Sequence, residues 1–272
     1  MTLNGAILLV GGGNMGGALI DGWLEGGIDP STIHVVEPAA ENRQPLRDKG
    51  VRAVADMAEL SGDLDPAVVV LAVKPQIMDS VLPPYARYTR PETVFLSIAA
   101  GRTIASLTRH LGGSAAVVRS IPNTPAAIRR GMTVMCANAN VSAAQAAACE
   151  RLLQGVGATG WVETEAQMDA ATAVSGSGPA YVFHLIEGMA AAGVDQGLPA
   201  ELAASLAVRT VAGAGALAER SGTDPGQLRR NVTSPGGTTE AALSVLMADN
   251  AMADLLTRAV DAATRRSREL AG

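Results

Sequence analysis

Four runs of strand length, Ala6 to Val10, Ile33 to Val36, Val68 to Val73 and Thr93 to Ile98, are apolar on both sides of the two-residue strand repeat. A strand with one wet face alternates apolar and polar residues, whereas one that reads apolar throughout must be covered on both faces. Such runs, separated by segments of helix length, fit an α/β layer structure with a parallel sheet between helices. Ala115 to Arg119 and Met132 to Cys136 extend the same sheet, and Ser142-Ala-Ala-Gln145 reads as a capping box opening a helix that stops near Gly155. After about Glu165 the strand signals vanish. Val182, Leu185, Ile186 and Met189, and later Leu243, Leu246 and Met247, recur at helical spacing on one face. The chain therefore divides into an α/β domain over residues 1–165 and an all-α domain over 166–272.

A chain of 272 residues is long enough for two such domains. Aromatics make up only 3% of it, so its cores are filled mainly by Ala, Val, Leu, Ile and Met. A net charge of -5 gives no field for nucleic acid or anionic lipid, and nucleic acid is excluded as a partner. Cys136 and Cys149 stand apart from each other and from the three histidines, without the spacing of a metal site, and read as free thiols in a reducing cytoplasm. The start of the chain has no basic leader. The uncharged run Ala170 to Ile186 is shorter than the ~20 residues a membrane span needs and is broken by Gly176, Gly178 and Pro179, so no membrane span is expected.

The first chemical motif follows the first strand, where Gly11, Gly13 and Gly16 stand in G-x-G-x-x-G register and Asn14 and Met15 open a helix. A dinucleotide needs this pattern: one glycine for the tight turn, one for close approach of the pyrophosphate, one for close packing of helix on strand, with the helix N-terminus facing the phosphates. Glu37 ends the next strand, where a carboxylate accepts the ribose hydroxyls; the plain alternative is a solvated strand end. Two further loops leave strand ends: Ala72, Val73, Lys74 and Pro75, and then Ala99 and Ala100 in "SIAAG", small enough for a flat ring to lie against the backbone. For each, an ordinary strand-to-helix turn is the alternative.

Two segments of the helical part are unusual. Gly176, Gly178 and Pro179 interrupt a helical pattern, which fits either tight packing between subunits or a kink that opens backbone groups to a ligand. His184, on a small-residue face beyond them, reads as a packed core histidine rather than a catalytic base. Ser234, Pro235, Gly236, Gly237, Thr238 and Thr239 interrupt another helical stretch with residues that favour caps and turns, and the helix start there suits an anion.

In their order and separations, "GGGNMG", "AVKPQ", "PNTP", "SGSGPAY" and "LRRNVTSPGGTTEAAL" resemble pyrroline-5-carboxylate reductase, the last enzyme of proline biosynthesis. The likeness covers nearly the whole chain, and its last two motifs are specific to that family. It implies an N-terminal Rossmann domain, a helical domain that dimerises by interleaving helices, dimers often assembling into a decamer, and hydride transfer from NAD(P)H to 1-pyrroline-5-carboxylate. It further implies that the loop from Ser234 through Gly237 and Thr238 to Thr239 holds the substrate carboxylate, that Thr239 reaches the ring nitrogen as the catalytic candidate, and that Glu165 and Asn231 line the same pocket. This chain departs from the pattern at Arg230, where some members carry an acid, and at Met57, which replaces an asparagine often found near the cofactor. Members that prefer NADPH usually have a small hydroxyl residue where Glu37 stands, so NADH is favoured here, with Arg43 close enough to offset the repulsion of an added phosphate. Two other readings compete. A two-domain hydroxyacid dehydrogenase would use a lysine in its helical domain, but the only lysines are Lys49 and Lys74. A non-catalytic dinucleotide sensor would not need the carboxylate loop.

Overall fold

The structure, a computed structural model, describes residues 5–270. Eight strands form one sheet: β1 (Ala6–Val10), β2 (Ile33–Val36), β3 (Arg52–Val54), β4 (Pro66–Leu71), β5 (Val94–Ser97), β6 (Ala116–Ile121), β7 (Gly131–Ala137) and β8 (Gly157–Trp161). Their spatial order is β3-β2-β1-β4-β5-β6-β7-β8. All neighbours run parallel except β6 and β7, which are antiparallel. Order 3-2-1-4-5-6 is that of a doubly wound dinucleotide fold, whose direction of winding reverses between β1 and β4. All six strands expected from the apolar runs are present, within a few residues of the expected bounds.

Eleven α-helices accompany the sheet among the described residues: α1 (Asn14–Glu25), α2 (Ala40–Asp48), α3 (Met78–Val81), α4 (Ile104–Leu111), α5 (Ala143–Gln154), α6 (Gln167–Ala171), α7 (Gly178–Asp195), α8 (Ala200–Ser221), α9 (Pro225–Asn231), α10 (Thr238–Leu246) and α11 (Ala251–Leu270). The capping box at α5 is closed in both directions, Ser142 Oγ accepting the Gln145 N–H and Gln145 Oε1 accepting the Ser142 N–H.

The first compact unit comprises residues 5–176 with 264–270. Alternate strand residues point to opposite faces. Ile7, Leu9, Val68, Val70, Val94 and Leu96 pack under Leu19, Ile20 and Trp23 of α1 and Leu152 and Leu153 of α5. Leu8, Val10, Val69, Leu71 and Phe95 pack on the other face, under Met78, Leu82, Tyr85 and Leu107. Trp23 Nε1 donates to the Leu152 carbonyl at 2.8 Å, so the one polar atom of that large ring is satisfied inside the core.

The second unit, residues 177–263, is helical, and α7 and α8 pack against each other in it. Its only buried hydrophobic residues are Ala203 and Ala207, while Phe183, Leu206, Leu217, Val245 and Leu255 are exposed in the single chain. Helix α8 is long enough and, at a mean hydropathy of 1.2, apolar enough to cross a membrane by composition alone. Arg209 near its middle and its packing on α7 are what a helix buried between protein surfaces also shows.

Two expectations are corrected. The glycine–proline segment is not a kink inside one helix: α6 ends in a π-helical turn, Thr172–Gly176, and α7 begins anew at Gly178 with Pro179 in its first turn, where a missing N–H breaks no helical bond. His184 is not packed in a core of its own chain. Its side chain is 87% exposed in the single chain, with Nδ1 at 3.1 Å from Glu187 Oε2.

Candidate active site

The carboxyl ends of β1, β4 and β5 lie in one row, Val10 opposite Leu71 and Leu71 opposite Ser97, and the row continues through Arg119 to Cys136. The loops that leave this edge carry most of the residues singled out in the α/β domain. Gly11 turns at φ 100°, and a Cβ there would lie 2.7 Å from the Ala72 carbonyl oxygen. At Gly16 a Cβ would lie 2.3 Å from the Gly11 oxygen, so only glycine lets α1 pack this close to the turn. Above Gly13 there is open space, with nothing within 4 Å of a Cβ, and α1 begins there without a side-chain cap. Uncapped N–H groups at Asn14 and Met15 beside this glycine turn suit a pyrophosphate, and the residues present fit a dinucleotide.

Glu37 is buried directly after β2. Its Oε2 accepts the Gly12 N–H at 2.7 Å and its Oε1 accepts the Ala39 N–H at 2.9 Å. The carboxylate thus braces the glycine turn. Arg43 Nη1 donates to the carbonyl of Glu37 at 2.8 Å and to that of Pro38. Ala72 is bonded through its N–H to the Val10 carbonyl at 2.8 Å, and Lys74 precedes a 3-10 turn that Pro75 opens. Ala99 is buried beside Ser97, whose Oγ accepts its N–H at 3.3 Å.

Sequence reasoning missed the bridge between these loops. The Asp79 carboxylate accepts from both terminal nitrogens of Arg102 and from His110 Nε2 at 2.8 Å, tying the segment after β4 to the one after β5. The Arg102 guanidinium first, then His110, holds the Asp79 carboxyl below the usual carboxylate range. Partners this far apart in the chain carry no local spacing signal. In "PNTP", Asn123 is a structural tie: its Oδ1 accepts the Met132 N–H at 2.9 Å and its Nδ2 donates to the Ser175 carbonyl at 3.1 Å.

Glu165 belongs to the same unit. Its Oε1 accepts the Ile104 N–H at the start of α4 and a hydrogen from Arg119 Nη1, each at 2.8 Å. Cys136 lies near this pair; burial first, then the Glu165 charge, pushes its thiol up, and Arg119 partly offsets both.

In the second unit, α10 begins on Gly237 with no side-chain cap, unlike α4, α5 and α9, which Thr103, Ser142 and Asp224 cap. The Gly237 N–H is engaged by the Ser234 carbonyl at 3.0 Å, and the Gly236 N–H by Glu240 Oε2 at 2.7 Å. The first helical bond is that of the Ala241 N–H to the Gly237 carbonyl at 3.2 Å, which leaves the N–H groups of Thr238, Thr239 and Glu240 open. The hydroxyls of Ser234, Thr238 and Thr239 are also without partners among the described residues. Asn231 closes α9, its Oδ1 accepting from Gln227 Nε2 at 2.7 Å, and Arg230 is held by Gln227 Oε1.

Residues 165–270 match the family model described as pyrroline-5-carboxylate reductase dimerisation, and residues 6–101 the model described as NADP oxidoreductase, coenzyme F420-dependent. The pyrroline-5-carboxylate reductase of Pseudomonas aeruginosa is 45% identical over 266 residues, 97% of this chain and 96% of that protein. That of Synechocystis is 39% identical, with 96% and 97% covered. Among solved structures, a pyrroline-5-carboxylate reductase from Coxiella burnetii matches with a TM-score of 0.93 at 36% identity, covering 98% of this chain and 99% of that one. A Plasmodium falciparum pyrroline carboxylate reductase with NADP bound matches with a TM-score of 0.81 at 30% identity, each chain covered in full.

Proposed function

The chain belongs to the pyrroline-5-carboxylate reductase family, and on that premise we propose how its own residues carry out the reaction. It is an NAD(P)H-dependent oxidoreductase of proline biosynthesis that reduces 1-pyrroline-5-carboxylate to L-proline. Residues 1–165 hold the dinucleotide, through Gly11, Gly13, Asn14, Met15, Gly16 and Glu37, through Ala72, Val73, Lys74 and Pro75, and through Ala99 and Ala100. Bound there, NAD(P)H supplies the hydride. Residues 166–272 pair the subunits and bind the substrate. Homodimers are the building block, with a decamer as the larger assembly, and the two unpaired cysteines fit a soluble enzyme of a reducing cytoplasm.

A protonated cyclic imine is already electrophilic, so the protein has to orient it and supply a local field more than a strong acid. The observation that carries the substrate site is the start of α10: three open N–H groups, three free hydroxyls and the positive end of a helix dipole at one turn. Ser234, Gly237 and Thr238 shape this turn around the substrate carboxylate, Thr239 reaches the ring nitrogen, and Asn231 and Glu165 are the further substrate-binding residues.

Thr239→Ala tests the assignment. With racemic 1-pyrroline-5-carboxylate and cofactor oxidation followed by absorbance, kcat/KM should fall roughly tenfold or more, the ~1.5 to 3 kcal/mol of a hydrogen bond to a charged group, while the dinucleotide Kd is unchanged. An unaltered kcat/KM removes Thr239 from this role.

A further inference from the structure

Arg119 is an anomaly in the row of residues that ends the sheet. It occupies a strand position between Ser97 and Cys136 and is only 2% exposed. Its Nη1 reaches Glu165 Oε1, but its Nε and Nη2 are buried with no partner. An ion pair placed in a core for stability alone is a poor device, because desolvating a guanidinium offsets what one carboxylate returns, and an apolar pair of similar volume serves as well. A cation kept at this cost with a single bond points to what its partner does.

Glu165 is built to be held still with one oxygen to spare. Both of its bonds fall on Oε1, from Arg119 and from the Ile104 N–H, so Oε2 is without a partner among the described residues, in a side chain that is 31% exposed. Ile104 follows the loop that carries Ala99 and Ala100, after β5, on the opposite side of β1 from Glu37 and the proposed adenosine-side ribose. A dinucleotide whose pyrophosphate lies on the glycine turn after β1 puts its other half over the ends of β4 and β5, with the flat ring on those two alanines. The ring's only polar substituent is a carboxamide, and its NH2 is the donor a fixed carboxylate oxygen would accept.

We propose that Glu165 Oε2 accepts the carboxamide NH2 of the bound nicotinamide, and that Arg119 is the positioning residue that orients Glu165 for it. The contact fixes the rotation of the ring about its ribose bond and so which ring hydrogen faces the substrate. This assignment rests on the dinucleotide site proposed above and names what Glu165 meets when that site is filled.

The test is a binding measurement with paired cofactors. Calorimetry would compare the oxidised dinucleotide with its 3-acetylpyridine analogue, in which a methyl group replaces the amide nitrogen, on wild type, Glu165→Gln, Arg119→Met and Arg119→Lys. Wild type should bind the parent about tenfold or more tightly, as expected for a hydrogen bond to a charged group. Glu165→Gln keeps an acceptor for the Ile104 N–H but places an amide donor where Oε2 was, so the preference should collapse toward unity. Arg119→Met should lower it in the same direction, and Arg119→Lys should restore part of it. A role confined to folding would weaken both ligands equally and leave the ratio where it was. Equal binding of the two ligands by wild type, or an unchanged ratio in Glu165→Gln, overturns the contact with Glu165; an unchanged ratio in Arg119→Met overturns the role of Arg119. If wild type binds neither ligand, it is the underlying cofactor site that fails instead.

Discussion

The Glu37 carboxylate gives one acceptor position on each oxygen to the backbone, to Gly12 on one side and Ala39 on the other. A second lone pair on each remains for ribose hydroxyls, and a 2′-phosphate in the same place would meet a fixed negative charge. Arg43 is the countervailing residue, but its Nη1 already donates to two carbonyl groups, so reaching a phosphate would require it to leave them. We therefore expect the enzyme to favour NADH more than its relatives do, by ~1 to 3 kcal/mol before any contribution from Arg43. The measurement is the ratio of kcat/KM for NADH to that for NADPH, in wild type and Glu37→Ser. The serine should shift the ratio toward NADPH and, because it releases the Gly12 N–H, weaken both cofactors. A tenfold NADPH preference in wild type, or an unmoved ratio in the mutant, would reduce Glu37 to a brace for the glycine turn. That double duty was only half legible in the sequence. The position of Glu37 after a strand signals a ribose contact, whereas its bonds to Gly12 and Ala39 depend on how the turn folds back over it.

At the scale of elements, the glycine turn and α1 separate two demands that the motif combines. Gly16 is needed by the fold, since its missing side chain is what lets the helix pack on the turn, while Gly13 faces open space and has an ordinary backbone conformation at φ -68°. Gly16→Ala should lower the thermal midpoint, at a cost of ~1 to 3 kcal/mol for the forced shift, and weaken dinucleotide binding with it. Gly13→Ala should leave the midpoint in place and still cost affinity, because its methyl group enters the space assigned to the pyrophosphate. Paired thermal melts and dinucleotide titrations check this; equal midpoints for the two variants would refute the division. The same physics explains which elements could be read in advance. Strands β1, β2, β4, β5 and β6 declare themselves because burial on both faces requires apolar side chains throughout. Strand β8 does not, because part of what suits it to its place is a missing side chain: at Gly157 a Cβ would lie 2.1 Å from the Gly131 oxygen of β7. Strand β3 is a three-residue edge with Arg52 exposed, too short for any period to show. Arg119 escaped notice because it closes an apolar run, and only the fold brings it to Glu165.

For the whole molecule, the decisive fact is how unevenly the core is distributed. The α/β unit buries full clusters on both faces of its sheet, but the helical unit has two buried alanines and an array of open Leu, Val, Met and Phe side chains along α7, α8, α10 and α11. Ordering each residue costs roughly 1 to 2 kcal/mol of conformational entropy, which two alanines cannot offset, so the apolar faces of these helices have to be covered by another copy of the chain. The small residues on these helices, Gly213 and Gly215 in α8 among them, suit close approach of helix to helix, and the matching of residues 165–270 to a dimerisation model agrees. Stability of this unit is then inseparable from association, and its thermal midpoint should rise with protein concentration. A charge at the centre of the open face, as in Leu206→Glu, should produce loss of helical circular dichroism together with a fall in sedimentation coefficient, because a chain without its partner has no core to retain in this region. Wild type should sediment as a dimer or larger at nanomolar concentration. A folded, active monomer at that concentration, or a Leu206→Glu chain that is monomeric with its full helical signal, would show that the helical unit stabilises itself by means its burial does not reveal.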